Sequence, residues 1–353
     1  MKLTDYVTLG RSGLRVSPMC LGTMTFGPAW GWGADEATAR AMFDAYVDAG
    51  GNFVDTADIY TGGQSEELVG RFIRDRGLRD RVVLATKFTF NTAKGNPNAG
   101  GNGRVHVRRA IEASLRRLGT DYLDLYWLHA WDMTTPVDEV MRTLDDLVRA
   151  GLVRHLGFSD VPGWYAARAQ TLAELRGLEP VIALQLEYSL VERGIERELV
   201  AAAAELGMAI TPWSPLAGGF LAGKYPRDGG GDGRLAKHRG SGNPAFDRMT
   251  ERNYEVLDVA TAIAGEVDRP VAQVALAWVL GRPGVTSTII GARTVEQLTM
   301  NLGALDLTLT AEQRQRLDDV TRSEPGHPYR FFVEPALQQM MYAGARVTRW
   351  KPV

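Results

Sequence analysis

Short apolar runs alternate with amphipathic stretches along most of the chain. The runs MCLGTM (19–24), NFVDT (52–56), RVVLATK (81–87), YLDLYWLH (122–129), VRHLGFS (153–159), IALQLEY (182–188), MAITPWS (208–214) and VTSTIIG (285–291) have strand length and composition. Between them lie helical patterns such as ATARAMFDAYVDAG (37–50), RVHVRRAIEASLRRLG (104–119) and PVDEVMRTLDDLVRAG (136–151). Several of these end at glycine, as expected of a left-handed helix cap. Ahead of the first run, YVTLGRSGLRVS (6–17) sets two short alternating stretches around a Ser-Gly turn, which predicts a β-hairpin.

Apolar strands alternating with helices imply a parallel sheet with crossover connections. Eight such units close a (β/α)₈ barrel of the TIM type. The runner-up, an open doubly wound sheet, is expected to carry a G-x-G-x-x-G turn after its first strand, and none stands there. A single α/β barrel domain over 1–353 follows, opened by a hairpin at 1–17. FTFNTAKGNPNAGGNG (88–103), the loop at 214–253 and the tail at 321–353 do not fit the repeat. Long glycine-rich loops after barrel strands belong to the C-terminal face, where active sites sit, and read as covering loops. A surface loop without function is the plain alternative.

Composition removes several function classes. Net charge is −2 and the isoelectric point about 6.3, so there is no overall basic footprint for nucleic acid. MKLTDYVTLG lacks the apolar core of a secretory signal, and runs such as VAQVALAWVLG are too short and polar to span a bilayer. The single cysteine, Cys20, excludes an intrachain disulfide and a cysteine-based metal cluster. A cytoplasmic protein is the economical expectation; assembly into a homo-oligomer stays open.

Polar residues at strand ends stand out, because strand interiors fill a barrel with apolar layers. Asp55 ends the second strand, Lys87 the third and His129 the fourth, with Tyr60 in the loop after Asp55. Singly, these read as a capped strand, a salt bridge and a satisfied histidine. In a closed barrel they converge on one mouth. An ammonium beside Tyr60 is expected to lower the phenol's pKa, and Asp55 to keep Lys87 charged and oriented. Tyr60 then serves as general acid, and His129 donates a hydrogen bond to the same substrate oxygen. No nucleophile or metal motif accompanies them, and His129 with Asp132 makes no metal cluster. A proton donor aimed at an oxygen suits carbonyl reduction. Trp30, Trp32, Phe88 and Trp131 follow strands one, three and four, and read equally as pocket walls or as core.

LGRSGLRVSPMCLGTMTFG, GGNFVDTADIY, VVLATK and DYLDLYWLHAWD, in this order and spacing, resemble the aldo-keto reductase superfamily over about residues 6–320. The resemblance implies a (β/α)₈ barrel that moves a hydride from a nicotinamide cofactor, usually NADPH, to a small aldehyde or ketone. It places the catalytic set on Asp55, Tyr60, Lys87 and His129. It also implies that Gly22, Thr23 and Met24, with Asp55, lie beside the nicotinamide ribose and carboxamide. Ser159, Asp160 and Gln185 would contact the carboxamide, and Trp213 would stack on the ring. Ser214, Leu216, Gly218 and Lys224 would line the pyrophosphate path. Gly291, Arg293, Thr294, Gln297 and Asn301 would hold the adenosine 2′-phosphate and adenine. Asp160 stands where the family usually has Asn, so it can accept from the carboxamide but not donate to it. Tyr329, Phe331 and Phe332 of the tail are expected either to close over substrate or to pack on the barrel. The same resemblance extends to the NADPH-binding β-subunits of potassium channels, which gives a regulatory alternative to the enzyme.

Overall fold

The structure, a computed structural model, describes residues 1–228, 233–237, 246–324, 326–332, 334–345 and 347. An antiparallel hairpin, β1 (Val7–Thr8) and β2 (Arg15–Val16), opens the chain with Val7 opposite Val16. The repeat follows: β3 (Met19–Gly22), α1 (Glu36–Asp48), β4 (Phe53–Asp55), α2 (Gln64–Asp75), β5 (Val83–Phe88), α3 (Arg104–Leu118), β6 (Leu123–Leu128) and α4 (Val137–Arg149). It continues with β7 (Val153–Ser159), α5 (Gly163–Arg176), β8 (Val181–Glu187), α6 (Leu199–Leu206) and β9 (Ala209–Trp213). After a long loop holding the short α7 (Arg234–Lys237) come α8 (Glu251–Glu266), α9 (Val271–Leu280), β10 (Thr288–Ile290), α10 (Val295–Leu302) and α11 (Ala311–Thr321). The tail forms α12 (Tyr329–Phe332) and α13 (Pro335–Tyr342).

Strands β3 to β10 pair in parallel in the order β10-β3-β4-β5-β6-β7-β8-β9. A parallel bridge between Ile210 and Val285 joins β9 to the chain entering β10. The fold is the expected (β/α)₈ barrel with its N-terminal hairpin. Period two sorts each strand into an inner and an outer face. Phe53, Val83, Ala85, Leu125, Trp127, Ala183, Ala209 and Ile289 fill the barrel, while Val54, Leu84, Phe88 and Tyr126 pack outward against the helices. Trp127 reaches far across the interior. A Cβ on Gly157 of the next strand would stand 2.2 Å from its indole, so only glycine fits there.

The hairpin plugs the far end. Leu9 and Val16 are buried in the inner cluster, and Arg11 N–H donates to the Gly207 carbonyl just before β9. Ser287 Oγ donates to the Ser17 carbonyl at 2.7 Å, tying the plug to the approach of β10. With the N-terminal end closed, the strand C-termini hold the open mouth. Residues 229–232 and 238–245 of the expected covering loop lie outside the described residues.

Candidate active site

The ends of β4, β5 and β6 bring Asp55, Lys87 and His129 to the mouth, and the turn Tyr60–Gly63 adds Tyr60. Lys87 is fully buried and its Nζ has three partners. It pairs with Asp55 Oδ2, donates to the Thr56 carbonyl at 2.8 Å and donates to Tyr60 Oη at 3.2 Å. The remaining Asp55 oxygen accepts from Gln185 Nε2 at 3.1 Å, which joins β8 to the cluster. The His129 ring stands edge-on to Tyr60, with centroids 5.8 Å apart.

Local backbone holds Tyr60 in place. Thr61, the next residue, has φ 49°, an unusual state for a β-branched side chain. Its hydroxyl donates to the Phe26 carbonyl at 2.9 Å and accepts from Ser65 N–H, so both the loop after β3 and the start of α2 hold the turn.

Burial would push the Lys87 ammonium's pKa down, but the charges of Asp55 and Tyr60 outweigh it and raise the net value. Lys87 is cationic. The expectation for Tyr60 is corrected in sign. Burial raises its pKa, and the opposing pull of Lys87 only partly offsets this, so the phenol stays protonated. The sequence shows the ammonium but not how far the mouth is dried. Burial, followed by the Lys87 charge, holds His129 well below the ordinary histidine value, and its imidazole is neutral.

Around this cluster the proposed cofactor residues divide. Ser159 and Gln185 are buried at the ends of β7 and β8. Asp160 Oδ1 accepts from Trp213 Nε1 at 3.1 Å, linking the ends of β7 and β9. Beyond Trp213 the backbone turns repeatedly into the left-handed region at Ser214, Ala217, Gly218, Gly219 and Gly223. Ser214 Oγ accepts from Gly218 N–H at 3.1 Å. The Lys224 stem lies so close over Gly219 that a Cβ there would sit 2.7 Å from its Cε. Successive N–H groups in such turns, with an ammonium above them, make a cradle suited to phosphate oxygens. At α10, Thr294 is the N-cap and accepts from Gln297 N–H, while Gln297 Oε1 accepts from Arg293 N–H at 2.9 Å. Asn301 is buried, donates to the Gly291 carbonyl and leaves its Oδ1 without a partner among the described residues.

Thr23 is not brought to the mouth. It is fully buried; its N–H and hydroxyl both bond to the Asp55 carbonyl, and its own carbonyl accepts from Phe26 N–H and Ser65 Oγ. It braces β3 against β4, leaving Gly22 and the half-buried Met24 on either side.

The aromatic walls also need correcting. Phe88 is fully buried and packs on Tyr126 at 4.8 Å in the outer layer, because alternation turns it away from the face Lys87 uses. The aromatic beside His129 is Phe90, which the sequence reading missed; it is half-exposed and edge-on to His129 at 4.7 Å. Alternation alone would set Phe90 on Phe88's side; the turn at Thr89, φ 136°, breaks the period and brings it to His129. Trp30 stands edge-on to Tyr60 at 6.3 Å and contacts Trp32. Trp131 packs against Trp164 of α5, a second missed aromatic, exposed and 5.5 Å away. Tyr329 and Phe331 pack against Phe332 in the exposed tail.

Residues 18–322 match the model of the Aldo/keto reductase family. The chain belongs to that family. A norsolorinic acid reductase of Aspergillus flavus is 37% identical over 338 residues, covering 93% of this chain and 83% of that protein. An uncharacterised oxidoreductase of Bacillus subtilis is 39% identical, covering 90% of this chain and 95% of that protein. An aryl-alcohol dehydrogenase [NADP(+)] of Phanerodontia chrysosporium is 34% identical, covering 91% and 86%. As an aldo/keto reductase this chain is an oxidoreductase whose family acts on small carbonyl compounds with nicotinamide cofactors. No helix among the described residues is long and apolar enough to cross a membrane.

Proposed function

We propose that this aldo/keto reductase reduces aromatic aldehydes or ketones with NADPH, and oxidises the matching alcohols with NADP⁺. The observation that supports it most is the triple contact of Lys87 with Asp55, Thr56 and Tyr60, set edge-on to His129 under an aromatic rim. The bound cofactor supplies the hydride that the protein has no group to provide. Tyr60 Oη donates its proton to the carbonyl oxygen as negative charge develops there. Lys87 is the nearest cation to that oxygen and stabilises the phenolate left behind. Neutral His129 keeps an N–H to donate to the same oxygen and fixes the carbonyl's orientation. Asp55 holds the ammonium rather than acting on Tyr60.

The turns after Trp213 and the Lys224 arch fit a pyrophosphate, and the Trp213 face fits a flat ring. Arg293, beside the α10 N-cap, favours the 2′-phosphate of NADP over NAD. Trp30, Phe90 and Trp131 support an aromatic substrate, as do the printed names of the Aspergillus and Phanerodontia relatives. The regulatory-subunit reading gains no observation from this geometry. Fluorescence titration with NADPH and then NADH, followed by assay of a reactive aryl aldehyde, tests the proposal. Micromolar binding of NADPH with turnover is expected; binding of neither cofactor overturns it.

A further inference from the structure

Asp160 lies one residue past the end of β7 with φ 46°, and its carboxyl reaches the Trp213 indole at the end of β9. Both neighbours fix it there: its N–H donates to the Gln185 carbonyl at 3.2 Å, and its carbonyl accepts from Trp131 N–H at 3.3 Å. One carboxyl oxygen accepts from the Trp213 indole N–H. The other has no hydrogen-bond partner among the described residues, and the residue is exposed. Carboxyl and indole therefore form one unit, and any ring lying on the Trp213 face has the carboxyl at its edge.

We propose that Asp160 is a specificity-determining residue that discriminates by charge between the two redox states of the nicotinamide, its carboxylate favouring the cationic oxidised ring. This rests on the cofactor reading above. The oxidised ring carries a positive charge and the reduced ring none, while the rest of the cofactor is the same in both. A carboxylate a few ångströms from the ring then attracts one form selectively, which a neutral amide cannot do. The consequence is that ionised Asp160 tightens NADP⁺ binding and shifts the bound hydride-transfer equilibrium toward NADP⁺ and alcohol.

The surrounding groups leave Asp160 as the residue that changes charge in the working range. Burial pushes its carboxyl up to about 7, against the Trp213 hydrogen bond, with nearby Glu187 adding to the rise and Lys87 opposing it. Access from the open mouth limits that drying, and a ring seated over the carboxyl completes it. Of the neighbours, Lys87 on β5 is held cationic by Asp55, Tyr60 stays protonated, and His129 after β6 stays neutral. Glu187 on β8 is ion-paired with Arg248 at 2.5 Å.

The test measures Kd for NADP⁺ and NADPH at pH 6 and pH 8.5 in wild type and Asp160→Asn. Asn keeps an acceptor for the Trp213 N–H. Ionisation of the 2′-phosphate occurs in both cofactor forms and cancels in the ratio. In wild type, Kd(NADP⁺)/Kd(NADPH) is expected to fall at least fivefold from pH 6 to pH 8.5. In Asp160→Asn it should stay flat near the wild-type value at pH 6. Calorimetry in two buffers of different ionisation enthalpy should show more proton release on NADP⁺ binding than on NADPH binding near pH 6.5, and no such difference in Asp160→Asn. Tight binding of both forms with a pH-independent ratio in wild type, or an unchanged pH dependence in Asp160→Asn, overturns this inference alone. Failure of wild type to bind either form overturns the cofactor reading and this inference with it.

Discussion

The ammonium of Lys87 has three donors, and Asp55, Thr56 and Tyr60 take all three. A buried cation so satisfied has no reason to shed its proton, and its fixed charge is available whenever Tyr60 loses one. Tyr60→Phe removes the acid while leaving the mouth's shape, so kcat should fall by about 10²–10⁴ with cofactor Kd within a factor of two. Single-turnover kinetics and a fluorescence titration read the two quantities; retained turnover would remove Tyr60 from the proton-donor role. The sign of the pH dependence follows from the raised Tyr60 pKa. Reduction needs the protonated phenol and should be flat from pH 6 to 9 at saturating cofactor. Oxidation needs the phenolate and should rise with pH over that range. Lys87→Met strands Asp55 without its counter-charge in the dry interior, a loss of roughly 3–5 kcal/mol. Denaturant unfolding should show that loss, and turnover should vanish with it.

Polar residues at the ends of β4, β5 and β6 made Asp55, Lys87 and His129 legible in the sequence, with Tyr60 in the loop after Asp55. Asp55 and Lys87 stand on the inner face of their strands, and His129 follows the last residue of β6. Period two, pressed one residue past Lys87, sends Phe88 outward; it does not reach Phe90, because the backbone leaves the period at Thr89, φ 136°. Thr23 was out of reach, because its burial depends on Ser65, which arrives from another element. The sign of the Tyr60 shift was also out of reach, since drying is a property of the assembled mouth. The long loop and the tail follow no period, and nothing local assigns their aromatics a neighbour. If Phe90 is a substrate wall, Phe90→Ala should raise KM for an aryl aldehyde about 2–12-fold, by loss of an aromatic contact of roughly 0.5–1.5 kcal/mol, with a small change for a short aliphatic one. Equal effects on both substrates would place Phe90 in support of His129 instead.

At the scale of the molecule, stability and site draw on the same buried charges. Asp58 follows Asp55 in the chain but is buried with neither side-chain oxygen bonded to a partner among the described residues. Burial, with nearby Glu66, pushes its pKa up to about 8. The unfolded carboxyl titrates near its ordinary value of about 4. The folded state therefore holds the extra proton between these values. Its contribution is complete below about pH 4 and is lost as pH rises through about 8. Asp58→Asn should thus raise Tm by a few degrees at pH 8.5 and leave it almost unchanged at pH 4, read by calorimetry. A shift of equal size at both would show that packing, not ionisation, sets the difference.

The ring closes where β3 meets β10, and the two lie more than 260 residues apart. During synthesis the outer edge of β3 therefore waits for its partner. At about 5–20 residues per second that wait is roughly 13–55 s, with an apolar strand edge unpaired throughout. A ribosome-bound chain stalled before residue 288 should recruit a chaperone holdase and be cleaved readily by protease. A chain stalled once β10 and α10 have cleared the exit tunnel should resist both.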